Sequence, residues 1–213
     1  GALVSGSFQA FDQTYLLHAL ETLGPAFFGV TQLPAATDEK ILRLNSKRVR
    51  AARFNLVRGG SESLDQLESF AVRVHQLAGW HIELYIDSRD LAEVENRLLR
   101  LPAVSIDHLG LSRTGFPSLL RLAERGVRVK ATGFGRVDFH VVDALLALHS
   151  ANPEILMFGT DLPSTRAPRG FMPEDIRLLT ETLGQAAAKR VLWENAVAFY
   201  VLEPVRAPTC DSG

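Results

Sequence analysis

Short apolar runs alternate along this chain with longer amphipathic stretches. The short runs cover residues 2–7, 27–33, 49–56, 81–86, 104–109, 127–132 and 155–160. Each is rich in Val, Ile, Leu and Phe, the composition of strands covered on both faces. The stretch 63–75 places Leu64, Leu67, Phe70, Ala71 and Val74 at helical spacing. Ser63 with Gln66 offers a capping box at its start. Gly79 and Gly126 stand just past helical patterns, where a left-handed residue is wanted, and a strand run follows each. Stretches 116–123, 139–149 and 174–183 are helical by the same spacing. Strand starts recur about every 22 to 32 residues, the length of a βα unit, with no linker or low-complexity tract between units.

Seven such units predict an α/β chain folded as a (β/α)8 TIM-type barrel that lacks its first βα unit, since a complete barrel has eight strands. The barrel is expected over residues 1–203, with 204–213 as a flexible tail. An open doubly wound sheet is the competing arrangement, but it calls for a Gly-rich phosphate fingerprint after the first strand, and residues 1–11 carry none. Gly133-Phe134-Gly135 is a weak phosphate-loop candidate whose plainer reading is a tight turn.

Composition narrows the function classes. The 213 residues are 46% hydrophobic and 22% charged, ordinary for a globular domain, and the formal net charge is -1. No global field favours nucleic acid or an anionic membrane, and no apolar run approaches the roughly 20 residues of a membrane helix. The single cysteine, Cys210, makes no internal disulfide, which suits a reducing, cytoplasmic setting.

Barrel chemistry belongs at the C-terminal ends of the strands, and polar residues gather at those ends here. Ser5 and Ser7 end the first run, Arg53 and Asn55 the third, Tyr85 the fourth, Asp107 and His108 the fifth, Lys130 and Thr132 the sixth, and Asp161 the seventh. Strand alternation sets His81, Glu83 and Tyr85 on one face. It sends Asp107 and His108 to opposite faces, so the inward position goes to His108. Glu83, too costly to bury alone, is expected to pair with His81 or Arg53. Each of these residues also has a bland role, as a cap, a filler or a solvated charge. Their conjunction at five strand ends is what points to a site.

The segment Met157-Phe158-Gly159-Thr160-Asp161-Leu162-Pro163 resembles the last-strand motif of the amidohydrolase-2 branch of the amidohydrolase superfamily. Arg50-Ala51-Ala52-Arg53-Phe54-Asn55, Gly79-Trp80-His81-Ile82-Glu83-Leu84 and Ile106-Asp107-His108-Leu109-Gly110 resemble its fourth, fifth and sixth strands, and Val191-Leu192-Trp193-Glu194-Asn195-Ala196 its closing helix. The pattern is most similar to the 2-pyrone-4,6-dicarboxylate lactonase type. The resemblance implies that Asp161 activates water, that His108 polarises a lactone carbonyl, and that Arg53 binds a substrate carboxylate. It places Tyr85 and Ser7 among substrate contacts and Lys130 where a basic residue is expected; beside these, Ser5 is taken as a further substrate contact, and Arg166 and Arg169, just beyond Asp161, as extensions of an anionic pocket. It further implies a small anionic substrate and no required cofactor. The His-x-His of the superfamily's metal enzymes is absent, and Tyr85 stands where many members carry a metal-binding His. Two alternatives stay open. One is a metal-dependent amidohydrolase or decarboxylase, with a divalent metal such as zinc in a longer parent. The other is a catalytically incomplete barrel that only binds a ligand.

Overall fold

The computed structural model describes residues 1–34 and 36–200; the expected tail at 204–213, with Cys210, lies outside them. Seven strands form one sheet in the order β1 (Ala2–Val4), β2 (Phe28–Thr31), β3 (Val49–Asn55), β4 (His81–Tyr85), β5 (Val104–Ile106), β6 (Arg128–Ala131) and β7 (Leu156–Phe158). Every neighbouring pair is parallel. All seven runs are therefore strands of a curled, TIM-type sheet, and among the described residues no further strand joins β7 back to β1.

Helices cross over between consecutive strands: α1 (Thr14–Leu23), α2 (Asp38–Ser46), α3 (Leu67–Ala78), α4 (Leu91–Leu98), α5 (Phe116–Glu124) and α6 (Val141–Ala151). The chain then continues through α7 (Pro173–Leu183), the short α8 (Gln185–Lys189), a π-helical turn (Arg190–Glu194) and α9 (Asn195–Tyr200). Local chemistry sets the helix ends. Thr37 caps α2, accepting from the Lys40 amide at 3.3 Å. Gly79 ends α3 in the left-handed conformation, at φ 67°. Ser63 caps a 3₁₀ turn rather than a full capping box: its hydroxyl accepts from Asp65, and the α-helix begins only at Leu67.

The two faces of the sheet have different fillings. The convex face packs against the helices in a large core that includes Leu16, Ile41, Val74, Ile82, Leu84, Leu119, Leu145 and Leu179. The concave face holds a smaller cluster of Val30, Ala51, Met157, Phe199 and Tyr200. The last two residues come from α9, which brings two aromatic rings into the hollow of the sheet. Phe199 stacks on His81 with ring centroids 4.2 Å apart, and Tyr200 meets the same imidazole edge-on at 4.8 Å. Asn195 anchors the helix by donating to the carbonyl oxygens of Leu156 (2.9 Å) and Pro153 (3.1 Å).

This plug gives a stability test. Phe199→Ala is expected to cost about 3–5 kcal/mol in chemical denaturation, the range for a buried aromatic truncated in a packed core. The exposed Leu146→Ala on α6 should change stability by no more than about 0.5 kcal/mol. A Phe199→Ala loss near that of Leu146→Ala would show that α9 does not fill the concave face.

Candidate active site

Register builds the floor of the site. Arg53 on β3 pairs with Glu83 on β4, and Glu83 with Ser105 on β5, so these three residues lie side by side on the concave face. Asp107, two residues beyond Ser105, keeps that face. The result is a buried quartet of two cations and two carboxylates. Arg53 reaches Asp107 Oδ2 through Nη2 at 2.6 Å and Nε at 3.2 Å, and lies 3.5 Å from Glu83 Oε1. The Lys130 ammonium donates to Glu83 and sits 3.6 Å from Asp107 Oδ1. Tyr200, from α9, contacts Glu83 from below at 3.4 Å.

The pKa directions follow from this enclosure. Burial and the neighbouring Asp107 push the Glu83 carboxyl up to about 7, against the pull of Lys130 and Arg53. Burial would also raise Asp107, but Arg53 and Lys130 outweigh it and hold that carboxyl well below the usual range. Burial alone would lower the Lys130 ammonium; Glu83, Tyr200 and Asp107 reverse the sign and raise it. Arg53 and Lys130 are thus both engaged by carboxylates of this chain. Glu83 meets Arg53, as the sequence suggested, and also Lys130. His81 is not its partner: its Nε2 has no hydrogen-bond partner among the described residues, and burial drives its pKa well down.

Above the quartet His108 and Asp161 face each other. Sequence alternation allowed either Asp107 or His108 inward, whereas the structure turns both in. β5 ends at Ile106, and His108 and Leu109 adopt φ 50° and 51°, so the two-residue period stops before it reaches His108. His108 Nδ1 lies 2.8 Å from the Thr132 hydroxyl, and Nε2 lies 3.9 Å from Asp161 Oδ1. The imidazole fits only because residue 133 is glycine. A Cβ there would stand 2.8 Å from His108 Nδ1, and the backbone has φ 59°. Gly135 is equally confined, since its Cβ would lie 2.4 Å from the Arg169 carbonyl oxygen. Gly133-Phe134-Gly135 is therefore a turn shaped by close approach.

Tyr85 links floor and pair. Its ring faces the Arg53 guanidinium at 5.1 Å and meets the His108 ring edge-on at 5.0 Å. Ser5 supports Arg53 from the end of β1: its carbonyl oxygen accepts from Nη1 at 2.8 Å, while its hydroxyl accepts from Tyr15 at 2.7 Å. Ser7 lies in the turn that follows β1. Asp161, at φ 56°, does not cap the next segment with its carboxylate. Arg136 holds that carboxylate instead, donating from Nε to Oδ2 at 2.6 Å. Sequence reasoning missed Arg136 because it lies in the loop after β6, where strand alternation has ended. Its position just beyond a strand's C-terminal end was the available signal. Arg169 forks onto Asp175 at 2.8 and 3.0 Å. Arg166 is exposed and stacks on the Phe8 ring at 4.2 Å.

Catalytic divalent ions usually take three protein ligands. Among the described residues no three His, Cys, Asp or Glu side chains converge. His108 and Asp161 supply two, and Arg136 already occupies one oxygen of Asp161. These residues by themselves do not fit a resident divalent ion. No described helix is long and apolar enough to cross a membrane.

The sequence model of the amidohydrolase family matches residues 1–202. The chain is 29% identical over 229 aligned positions to a D-galactarolactone isomerase of Agrobacterium fabrum, covering 96% of this chain and 77% of that protein. It is 29% identical over 112 positions to a 2-pyrone-4,6-dicarboxylate hydrolase of Comamonas testosteroni, covering 51% and 36%. Among solved structures it superposes on an apo protein of Agrobacterium tumefaciens with a TM-score of 0.78 at 25% identity, covering 96% of this chain and 79% of the other. A β-aspartyl dipeptidase of Fervidobacterium islandicum shares the fold, with a TM-score of 0.68 at 16% identity over 96% of this chain and 63% of its own.

Burial lowers the His108 pKa to about 4, although Asp107 and Asp161 pull the other way. The imidazole is therefore neutral near neutrality. Unfolded, it would titrate near 6.5, so the unfolded state binds more protons between the two values. The contribution of His108 to stability is thus full above the upper value and is lost as pH falls through the window. ¹⁵N-imidazole NMR should place the His108 midpoint near 4. A midpoint at the unfolded value would show that the ring is not enclosed as described.

Proposed function

This chain belongs to the amidohydrolase family, and within it we propose a hydrolase that opens a carboxylated lactone with water activated by Asp161. The observation that carries the proposal is the facing pair: Asp161 Oδ1 and His108 Nε2 stand 3.9 Å apart, with the second Asp161 oxygen pinned by Arg136. Asp161 then has a single free oxygen, held in place to take a proton. If the Thr132 hydroxyl donates to His108 Nδ1, the imidazole carries its proton on Nε2 and presents it to the site.

The steps balance with side chains of this chain alone. Water adds to the lactone carbonyl carbon while its proton passes to Asp161. The carbonyl oxygen takes the negative charge, and the neutral Nε2–H of His108 donates to it. Collapse breaks the ring C–O bond, and the proton on Asp161 passes to the departing oxygen. Tyr85, edge-on to the His108 ring, is the side chain of this set placed nearest the pair. Arg53 and Lys130, ion-paired with Asp107 and Glu83, form a fixed polar floor beneath the site that need not reorganise during reaction.

The relative named as a D-galactarolactone isomerase favours a second reading on the same groups. If a hydroxyl of the substrate attacks instead of water, the carbonyl migrates to a new ring oxygen and no water is consumed. Turnover in ¹⁸O-labelled water separates the two. Hydrolysis places one solvent oxygen in the product carboxylate, and isomerisation places none.

Asp161→Asn keeps the shape and removes the basic oxygen. It is expected to lower kcat by roughly a hundred- to ten-thousand-fold with little change in KM, because the proton transfer matters only in the transition state. Full activity in Asp161→Asn would overturn the mechanism. A chelator is expected to leave the unmutated rate unchanged, and a chelator-sensitive rate would replace it with metal-assisted chemistry.

A further inference from the structure

The cationic residues that sequence reasoning placed at the strand ends and just beyond Asp161 differ sharply in how they are engaged. Arg53 and Lys130 are buried against Asp107 and Glu83, and Arg169 is forked onto Asp175. The newly found Arg136 is spent on Asp161. Arg166 alone of these five has no carboxylate partner among the described residues. Its guanidinium carbon lies over the Phe8 ring, 4.2 Å from the centroid.

Its placement is specific. Arg136 donates from Nη2 to the carbonyl oxygen of Thr165 at 3.2 Å, the residue directly before Arg166, and from Nε to Asp161. One guanidinium thus ties the reactive carboxylate and the peptide that presents Arg166. The turn is closed by Ser164, whose amide and hydroxyl both donate to the Asp161 carbonyl oxygen, at 2.6 and 2.9 Å. Arg166 itself sits at φ 66°. Phe8 comes from the loop after β1, on the far side of the break between β1 and β7, and is 64% exposed. A guanidinium whose carbon lies over an aromatic ring still has N–H groups at its periphery to offer a planar, bidentate anion.

We propose that Arg166, its guanidinium over Phe8 and its peptide tied to Asp161 through Arg136, is the specificity-determining residue that receives a carboxylate of the substrate. The inference rests on the lactone reading of the site. It moves recognition of the substrate's charge from the strand-end cations, whose charge is already compensated, to the loop after β7.

The probe is isophthalate, a planar cyclic dicarboxylate with no ester to open, so its binding can be read by calorimetry without any catalysis. Wild type is expected to bind it. Arg166→Ala should weaken binding roughly ten- to a hundred-fold, the worth of a charged hydrogen-bonded pair, and Phe8→Leu should weaken it less. Arg166→Lys should recover only part of the loss, because a point charge cannot pair bidentately. In turnover, Arg166→Ala should raise KM for a carboxylated lactone and leave kcat and the KM of its uncharged analogue unchanged. Loss on both substrates alike would mean a merely structural contact between the two loops and would overturn the proposal. Absence of isophthalate binding in wild type, or equal binding in wild type and Arg166→Ala, would overturn it too. Failure of wild type to turn over any lactone, with Arg166-dependent isophthalate binding intact, would instead overturn the lactone reading and leave the carboxylate subsite standing.

Discussion

Four charged groups in the hollow of the sheet, Arg53, Lys130, Glu83 and Asp107, constrain most of what surrounds them. Enclosing two cations and two anions is tolerable only when each is paired, since an isolated buried charge costs far more than its neighbours return. The quartet meets that demand across β3, β4, β5 and β6, with distances of 2.6 to 3.6 Å besides the closer contact of Lys130 with Glu83. It also explains α9. Without the rings of Phe199 and Tyr200 below it, the ion cluster would open to water, and the field it sets beneath the site would be screened.

The site stacked on this floor is notable for how few of its groups remain free. Arg53 is held by Asp107 and Ser5, Lys130 by Glu83, Arg136 by Asp161, and Arg169 by Asp175. Such fixed partners suit a site that must present dipoles in place rather than gather them during the reaction. Unlike these cations, Arg166 has no carboxylate partner among the described residues, and His108 Nε2 and Asp161 Oδ1 face each other at 3.9 Å. His108 is held neutral by burial, which suits the proposed role of a donor that places no full charge beside the reacting carbonyl.

Two features of the site rest on backbone departures from regular structure. The left-handed residues at 108 and 109 end the alternation of β5 and bring Asp107 and His108 into one space. The glycine at 133 removes the side chain that would occupy the place of the imidazole. Both lie at C-terminal strand ends, where the ladder has stopped dictating direction and loops can aim side chains.

Most of the fold was legible along the chain, because strands covered on both faces must be continuously apolar and their crossovers must be amphipathic. That requirement marked all seven strands and the helices at 63–75, 116–123, 139–149 and 174–183, each within a few residues of its observed bounds. The same regularity named the strand-end residues His108, Asp161, Tyr85, Arg53 and Lys130. What the sequence could carry of partnership was limited to Glu83 with Arg53. Alternation says which face a residue takes inside a strand and nothing beyond its last ladder bond, so Asp107 and His108 were set apart and Arg136 went unnoticed. A charge's partner depends on which residues of other strands and loops come within a few ångströms. Only the curled sheet decides that: it sets Lys130 on Glu83, brings α9 beneath them, and leaves Arg166 resting on Phe8.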